Sequence, residues 1–570
     1  MGFDNLMMKF DQLVTSVLGE WDMVSTVIFT SLVAFFIYCV ITSRDPDAHP
    51  MLLARQSQPS PVRHEGQSAI YRSHSAPHGI PLNSGLNVKD PGDSKWARGR
   101  DGDIRDIWRK FISGPTDHEN KPTGVPGKLM TVLGKEKVIE HNLAEITRSI
   151  NLIGQQIKQN GGSNVAIYLP NSVEFLATLF ACAFYNLTVV LLPFDQPPAT
   201  VLSLLKQAKV DTIVAAVGAF PFDEVTKSYP ALKQVIWVVD EGNKHMDWNE
   251  VPTGTGGAVN VSTWQDIIQD QPATEGTELP ELTKDKSNLK NILAFWPSND
   301  GFKLIEYTPA NIVAGIAGQI AGLPNNARIN QEDLFLPADS LSTLYPLTLT
   351  LAAMYSGASL ALNSVAGRSP DLTLATQGIA PTIIVASAST LAQTYSETAE
   401  KMNSSLYALV HWLETRTLVQ YGVMPIASTF SRMYDNLRPI LGTSPGKLRL
   451  IFVSEQAGVA GPALSSLQLS DLRIYTGSRI VYALTAGKVV GAISQTGICD
   501  YRITEPTAKY SHFGAPLSSV EVFFKDTPAH KTTDESVAGE IVVCGPAVVG
   551  GQAALGLSGK ILSDHTLAYV

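Results

Sequence analysis

Between about position 107 and position 570 the chain alternates between two hydrophobic rhythms. Leu143, Ile146, Ile150, Ile153 and Ile157 recur at spacings of three and four, which is one face of a helix. Asn142 precedes them, with Glu145 three residues on in the manner of a capping box. The run Val165-Ala-Ile-Tyr-Leu169 reads as a buried strand closed by Pro170, and a second helix opens at Asn171, again with an acid, Glu174, three residues later. Strand (189–192), helix (200–208) and strand (212–215) continue the order. This βαβα succession predicts an α/β fold with a parallel sheet covered on both faces. A polar, Gly/Thr-rich stretch over 241–291 reads as surface loop. The rhythm then resumes with a helix from Pro309, a helix at 345–354, strands at 359–362 and 382–385, a helix at 390–402 and a strand at 448–453. Short strands at 520–524 and 540–544, separated by turn-rich sequence, predict a small β-rich subdomain over about 505–570.

The N-terminus follows other rules. Residues 23–43 are free of charge and long enough to cross the hydrocarbon core as one helix. The preceding segment, 1–22, is acidic, whereas Arg44, Arg55, Arg63 and Arg72 follow, so the expected anchor is single-pass with its C-terminal side in the cytosol. The apolar run is longer than that of a signal peptide, and no A-x-A-like cleavage site follows it. Residues 44–105 are rich in Pro, Ser, His, Arg and Gly without apolar period and read as a disordered linker to a folded region over 106–570.

Composition narrows the function classes. The net charge is −9 and no Lys/Arg-rich block occurs, which excludes nucleic acid as an expected partner. The four cysteines (Cys39, Cys182, Cys499, Cys544) have no CxxC spacing, which argues for a reducing compartment and against a structural zinc site.

Candidate chemistry concentrates in Phe295-Trp-Pro-Ser-Asn-Asp-Gly-Phe-Lys303, between a strand-like segment and the helix opening at Thr308-Pro309. Ser298, Asn299, Gly301 and Lys303 are the residue types of a phosphate-holding loop, since Gly admits close backbone approach and Lys supplies counter-charge. Trp296, Pro297 and Asp300 oppose that use: two are bulky or lack an N–H, and one is an anion.

Several segments together resemble one family, the adenylate-forming AMP-binding superfamily, and especially its long-chain acyl-CoA synthetase branch. Residues 165–175 look like its early strand and helix, the loop above like its phosphate loop, and Phe335-Leu-Pro-Ala-Asp-Ser-Leu341 like "LPLAH". Pro381-Thr-Ile-Ile-Val385 is similar to its "PT-hydrophobic" strand, residues 448–457 to the strand leading to "SGGAP", and Val481-Tyr-Ala-Leu-Thr-Ala486 to "YGxTE". His512-Phe-Gly-Ala-Pro-Leu517 and Gly539-Glu-Ile-Val-Val-Cys-Gly-Pro-Ala547 resemble "VGxPLP" and "GEIxVRGP". The resemblance implies two αβ subdomains with parallel sheets plus the β-rich subdomain. It also implies a family chemistry in which ATP and a carboxylic acid form an acyl-adenylate that is passed to a thiol.

Carried over by position, the resemblance assigns phosphate contacts to Ser298, Asn299, Gly301 and Lys303, adenine stacking to Tyr482, a phosphate contact to Thr485 and the ribose carboxylate to Asp564. Ala486 stands in place of the acid that holds Mg²⁺ in the family, Ser340 in place of the "LPLAH" histidine, and Ser389 where an arginine is expected. The sequence ends at Val570, so the family's hinge and C-terminal domain, with its catalytic lysine, are expected to be absent. The reading that follows is a membrane-anchored, catalytically impaired AMP-dependent synthetase/ligase-like protein on the endoplasmic reticulum. It would act through binding of nucleotide, fatty acyl group or a protein partner, with ATP/AMP the implied cofactor. The alternatives are an active ATP-dependent fatty acyl-CoA ligase and a truncated gene model of one.

Overall fold

The computed structural model describes residues 15–16, 19, 22–42, 44–90, 92–94, 96–116, 121–133, 137–239, 259–281, 289–363, 371–402, 404–425, 432, 435–444 and 446–570. The chain divides into two compact units, Met1–Asp47 and Ala48–Val570.

In the first unit, Met23–Thr42 is a helix of 20 residues. Its side chains are described as far as Ile37, and among the described residues no helix is long and apolar enough to cross a membrane. The expected anchor is therefore not demonstrated. The expected segment 1–22 lies almost wholly outside the described residues.

Among the described residues, three sheets build the second unit. The seven-stranded sheet runs Gly301–Tyr307, Ile292–Ser298, Thr188–Leu191, Asn164–Tyr168, Thr212–Ala216, Gln234–Val238, Asn260–Thr263. All its pairings are parallel except the one between the first two strands. The nine-stranded sheet has a parallel centre of Arg479–Thr485, Leu450–Gln456, Ile383–Ser387, Leu334–Pro337, Ser359–Asn363 and Leu129–Leu133, with antiparallel strands at both margins. The central strands are buried along nearly their whole length, as parallel strands covered on both faces must be. The third sheet is antiparallel and six-stranded: Ser57–Pro59, Tyr71–Ser73, Glu521–Lys525, Ala538–Cys544, Gln552–Ile561, Leu567–Tyr569. The expected α/β architecture with a β-rich subdomain is thus present.

Local chemistry places the helices. Asn142 accepts from Ala144 N and caps Leu143–Gln159. Ser172, rather than Asn171, caps Val173–Tyr185. The Asn171 side chain instead bridges two sheets. Its Nδ2 donates to the carbonyls of Pro337 and Asp339, and its Oδ1 accepts from Leu341 N. It thereby ties the seven-stranded sheet to the C-terminal end of a strand of the nine-stranded one.

Two expectations are corrected. Residues 44–105 are not a disordered linker throughout, because 57–59 and 71–73 are strands of the third sheet. Tyr71 pairs with Val522 and is buried, Ser68 N donates to Phe524 O, and Arg72 pairs with Glu521 at 2.7 Å. These partners lie far along the chain, so a segment without local periodicity is still ordered. The 241–291 stretch is also more than loop: part lies outside the described residues, and the rest contains strand Asn260–Thr263 and helix Trp264–Gln269.

Candidate functional site

The segment read as a flexible phosphate loop is a β-hairpin. Ile292–Ser298 pairs antiparallel with Gly301–Tyr307, with Ser298 opposite Gly301, so only Asn299 and Asp300 form the turn. Ser298, Asn299, Asp300 and Gly301 are exposed at its tip. Gly301, at φ +113°, takes the backbone conformation just past the turn that side chains rarely adopt. Along 301–307 Ile305 and Tyr307 are buried with Glu306 exposed between them, while Lys303, nearer the tip, is exposed. Strand alternation puts Lys303 on the same side of the hairpin as Ile305, Tyr307 and its register partner Trp296.

On that side the hairpin meets the ends of the parallel strands, where open α/β sheets hold their ligands. Trp296, Thr343, Tyr345, Ser454, Thr485 and Ala486 surround a cavity of about 10 Å³. These residues come from segments resembling the phosphate loop, "SGGAP" and "YGxTE", and from the stretch just after the "LPLAH"-like one. The order of motifs along the sequence is therefore an arrangement in space. Its interior is filled. A side-chain carbon added at Gly487 would meet Trp296 Cγ at 2.7 Å and Ile305 Cδ1 at 2.8 Å. The Tyr307 hydroxyl donates to the Gly487 carbonyl, fastening the hairpin to the strand-end loop.

Beneath the cavity lies a polar pair absent from the expected site. The Tyr482 hydroxyl donates to Glu455 Oε2 at 3.0 Å, and the Thr485 hydroxyl donates to the Glu455 carbonyl at 2.9 Å. Tyr482 is fully buried, its ring 5.2 Å from that of Phe513. Burial pushes the Glu455 carboxyl up to about 7, with the Tyr482 hydrogen bond acting the other way. Burial, and then the neighbouring Glu455 charge, raise Tyr482 well above the ordinary tyrosine range. Burial likewise pushes Asp339 up to about 6 against an opposing bond from Ser340 N. The signal for Glu455 was in the sequence: Ser454-Glu-Gln-Ala457 sets Glu455 and Gln456 at the two glycine positions of "SGGAP".

Asp564 does not line this cavity. It is buried in an ion network: Arg502 Nη2 lies 2.7 Å from Asp564 Oδ2 and 2.8 Å from Asp500 Oδ2. The other Asp564 oxygen accepts from Thr566 N and its hydroxyl, and Gln56 Nε2 donates to Asp500 at 2.6 Å. Burial works against the Arg502 charge, but the bonds to Asp500 and Asp564 outweigh it and raise the group above its ordinary range. The structure thus brings Trp296 and Thr485 to one place, with Lys303 exposed beside Trp296 on the hairpin and outside the cavity lining. Tyr482 lies under it, and Asp564 belongs to a separate network.

The architecture defines a class, the α/β adenylate-forming fold. Residues 144–280 match the family model described as AMP-binding enzyme, which bears out the resemblance to the AMP-binding superfamily. Similar solved structures include the anthranilate CoA ligase AuaEII in complex with anthranoyl-AMP, with a TM-score of 0.57 and 14% identity over 82% of this chain and 77% of that one. A long-chain-fatty-acid-CoA ligase from Archaeoglobus fulgidus matches with a TM-score of 0.56 and 12% identity, covering 86% of each chain. The amide bond synthetase McbA from Marinactinospora thermotolerans matches at 0.54 and 15%, over 82% of this chain and 78% of that one. At these identities the likeness is one of fold.

The residues present do not fit ATP in this conformation. Ligand pockets for molecules of that size are about 300–1,000 Å³, whereas the converging motifs enclose about 10 Å³, roughly room for one water. Ala486 supplies no metal ligand at the position where the family-like segment would carry an acid.

Proposed function

We propose that this chain is a membrane-anchored adenylate-forming fold whose nucleotide site has been filled, and that it works by binding an acyl ligand or a protein partner rather than by ATP turnover. The observation that carries the reading is the Trp296–Gly487 contact at the strand ends, which leaves about 10 Å³ where the nucleotide motifs converge. The Tyr482–Glu455 pair supports it, because the ring expected to stack on adenine is buried and bonded elsewhere. Asp564, expected at the ribose, is neutralised by Arg502.

The anchor reading rests on the sequence, where residues 23–43 carry no charge, and on the exposure of Val24, Val27, Ile28, Phe29, Phe35 and Phe36 in the helix Met23–Thr42. Arg44 and Arg55 on its C-terminal side favour a cytosolic body, and the resemblance favours the endoplasmic reticulum as its membrane.

ATP–pyrophosphate exchange with a panel of fatty acids tests the proposal. The expected result is no exchange above the protein-free blank. The one observation for a working ligase is that Lys303 shares a face of the hairpin with Trp296, which lines the cavity. Mg²⁺-dependent exchange that disappears in Lys303→Ala would establish that reading and overturn ours.

A further inference from the structure

A cavity of about 310 Å³ opens at the carbonyl end of the helix Pro309–Ala321. That helix is about 20 Å long and begins just after the hairpin, so the cavity stands well apart from the converging nucleotide motifs. It shares no lining residue with the small cavity under the hairpin, and its size is that of a small-molecule site.

Residues 75–101 supply most of its wall, and hydrogen bonds hold them in place. Asn83 N donates to Ser518 O at 2.9 Å, and Asn83 Nδ2 donates to Ala317 O of the helix at 3.2 Å. Leu86 N donates to Asp101 O at 2.8 Å, and Val88 and Arg100 exchange backbone hydrogen bonds. These two runs are pressed together so closely that a side-chain carbon at Gly85 would overlap Asp101 Cα. The cavity is therefore built into the fold.

The polar part of the wall carries both signs of charge. Arg98 Nη2 and Asp101 Oδ1 stand 3.7 Å apart, and the two side chains are 73% and 47% exposed. The Ser84 hydroxyl donates to Asp101 Oδ1 at 3.2 Å and accepts from Arg98 Nη2 at 3.4 Å. Among the described residues no hydrogen bond falls on Asp101 Oδ2 or on Arg98 Nη1 and Nε. An exposed pair of this kind adds little to stability, so a ligand carrying both charges can displace it at small cost. The helix ends at Ala321, and its negative pole adds to Asp101 in favouring a cation there. Ala76, Leu82 and Ala321 make the rest of the wall apolar. A simple anion would meet Asp101 and a simple cation would meet Arg98, whereas a zwitterion satisfies both.

We propose that this cavity binds a free α-amino acid with an aliphatic side chain. Its carboxylate is held by Arg98, its ammonium by Asp101, and its side chain lies against Ala76, Leu82 and Ala321.

Equilibrium dialysis of the full chain with radiolabelled L-leucine tests the proposal. Saturable binding of one leucine per chain is expected. Isocaproate lacks the ammonium and isoamylamine lacks the carboxylate, so each should compete about tenfold more weakly or worse. Asp101→Asn and Arg98→Met should each weaken leucine binding by a similar factor, and Ala321→Leu, which takes up space at the apolar wall, should weaken it too. Because Arg98 and Asp101 are exposed, the urea transitions of their two variants should match that of the wild type. Absence of saturable binding for leucine, isoleucine, valine and alanine overturns the proposal. So does leucine binding that survives both rim variants, since the amino acid would then sit elsewhere in the chain. An amine that competes as well as leucine also overturns it. Each of these outcomes is independent of whether the chain binds ATP.

Discussion

Replacing Glu455 by Gln keeps an acceptor for the Tyr482 hydroxyl and removes the charge. Burial raises this carboxyl from an ordinary 4.5 to about 7. At about 1.4 kcal/mol per pH unit, ionising it inside the fold costs about 2–3 kcal/mol after discounting for partial solvation. The sign follows from proton counts. Between about pH 4.5 and 7 the folded chain holds a proton that the unfolded chain has released, so stability falls as pH rises through that window and levels off above it. Glu455→Gln has no such slope. Urea unfolding of the 48–570 body should therefore show the variant gaining about 2–3 kcal/mol on the wild type between pH 4.5 and pH 8. Parallel stability curves for the two proteins would refute the buried, proton-holding carboxyl.

Two further substitutions probe the packing around the same fold. Arg502→Met leaves Asp500 and Asp564 buried without their cation and should cost about 3–5 kcal/mol. Burial alone would raise Asp500, but hydrogen bonds and charge from Arg502 and His512 hold it at about 2, below the ordinary 3.8. The stability this provides is present above about pH 4 and is lost as pH falls towards 2, so the acid-unfolding midpoint of the variant should move up. Gly487→Ala forces a methyl against Trp296 and Ile305 and should cost about 1–3 kcal/mol. In a Trp296→Ala background the same change should cost clearly less, and additivity in that double-mutant cycle would show that the two residues do not fill one space.

The order of family-like segments was enough to read the fold, because buried parallel strands such as Asn164–Tyr168 and Leu450–Gln456 are continuous apolar runs. The hairpin was harder. Pro297 discourages a strand assignment, yet it sits past the residues that pair with Thr188–Leu191, where no ladder N–H is required on that side. Residues 57–73 were illegible for a different reason: their order depends on Ser57 bonding His565 O and on Arg72 meeting Glu521, partners that no local pattern announces. For Asp564, the residue type shows a turn, whereas its neutralisation depends on Arg502 arriving from another loop. Glu455 was visible as a residue but acquires meaning only when Tyr482 is brought over it by pairing of the two strands.

The filled nucleotide site is the central claim, and calorimetric titration of the 48–570 body with ATP and Mg²⁺ tests it most directly. Wild type should give no saturable heat. Saturable, stoichiometric binding weakened by Lys303→Ala or Thr485→Val would show that the hairpin opens to admit the nucleotide, and would contradict the account.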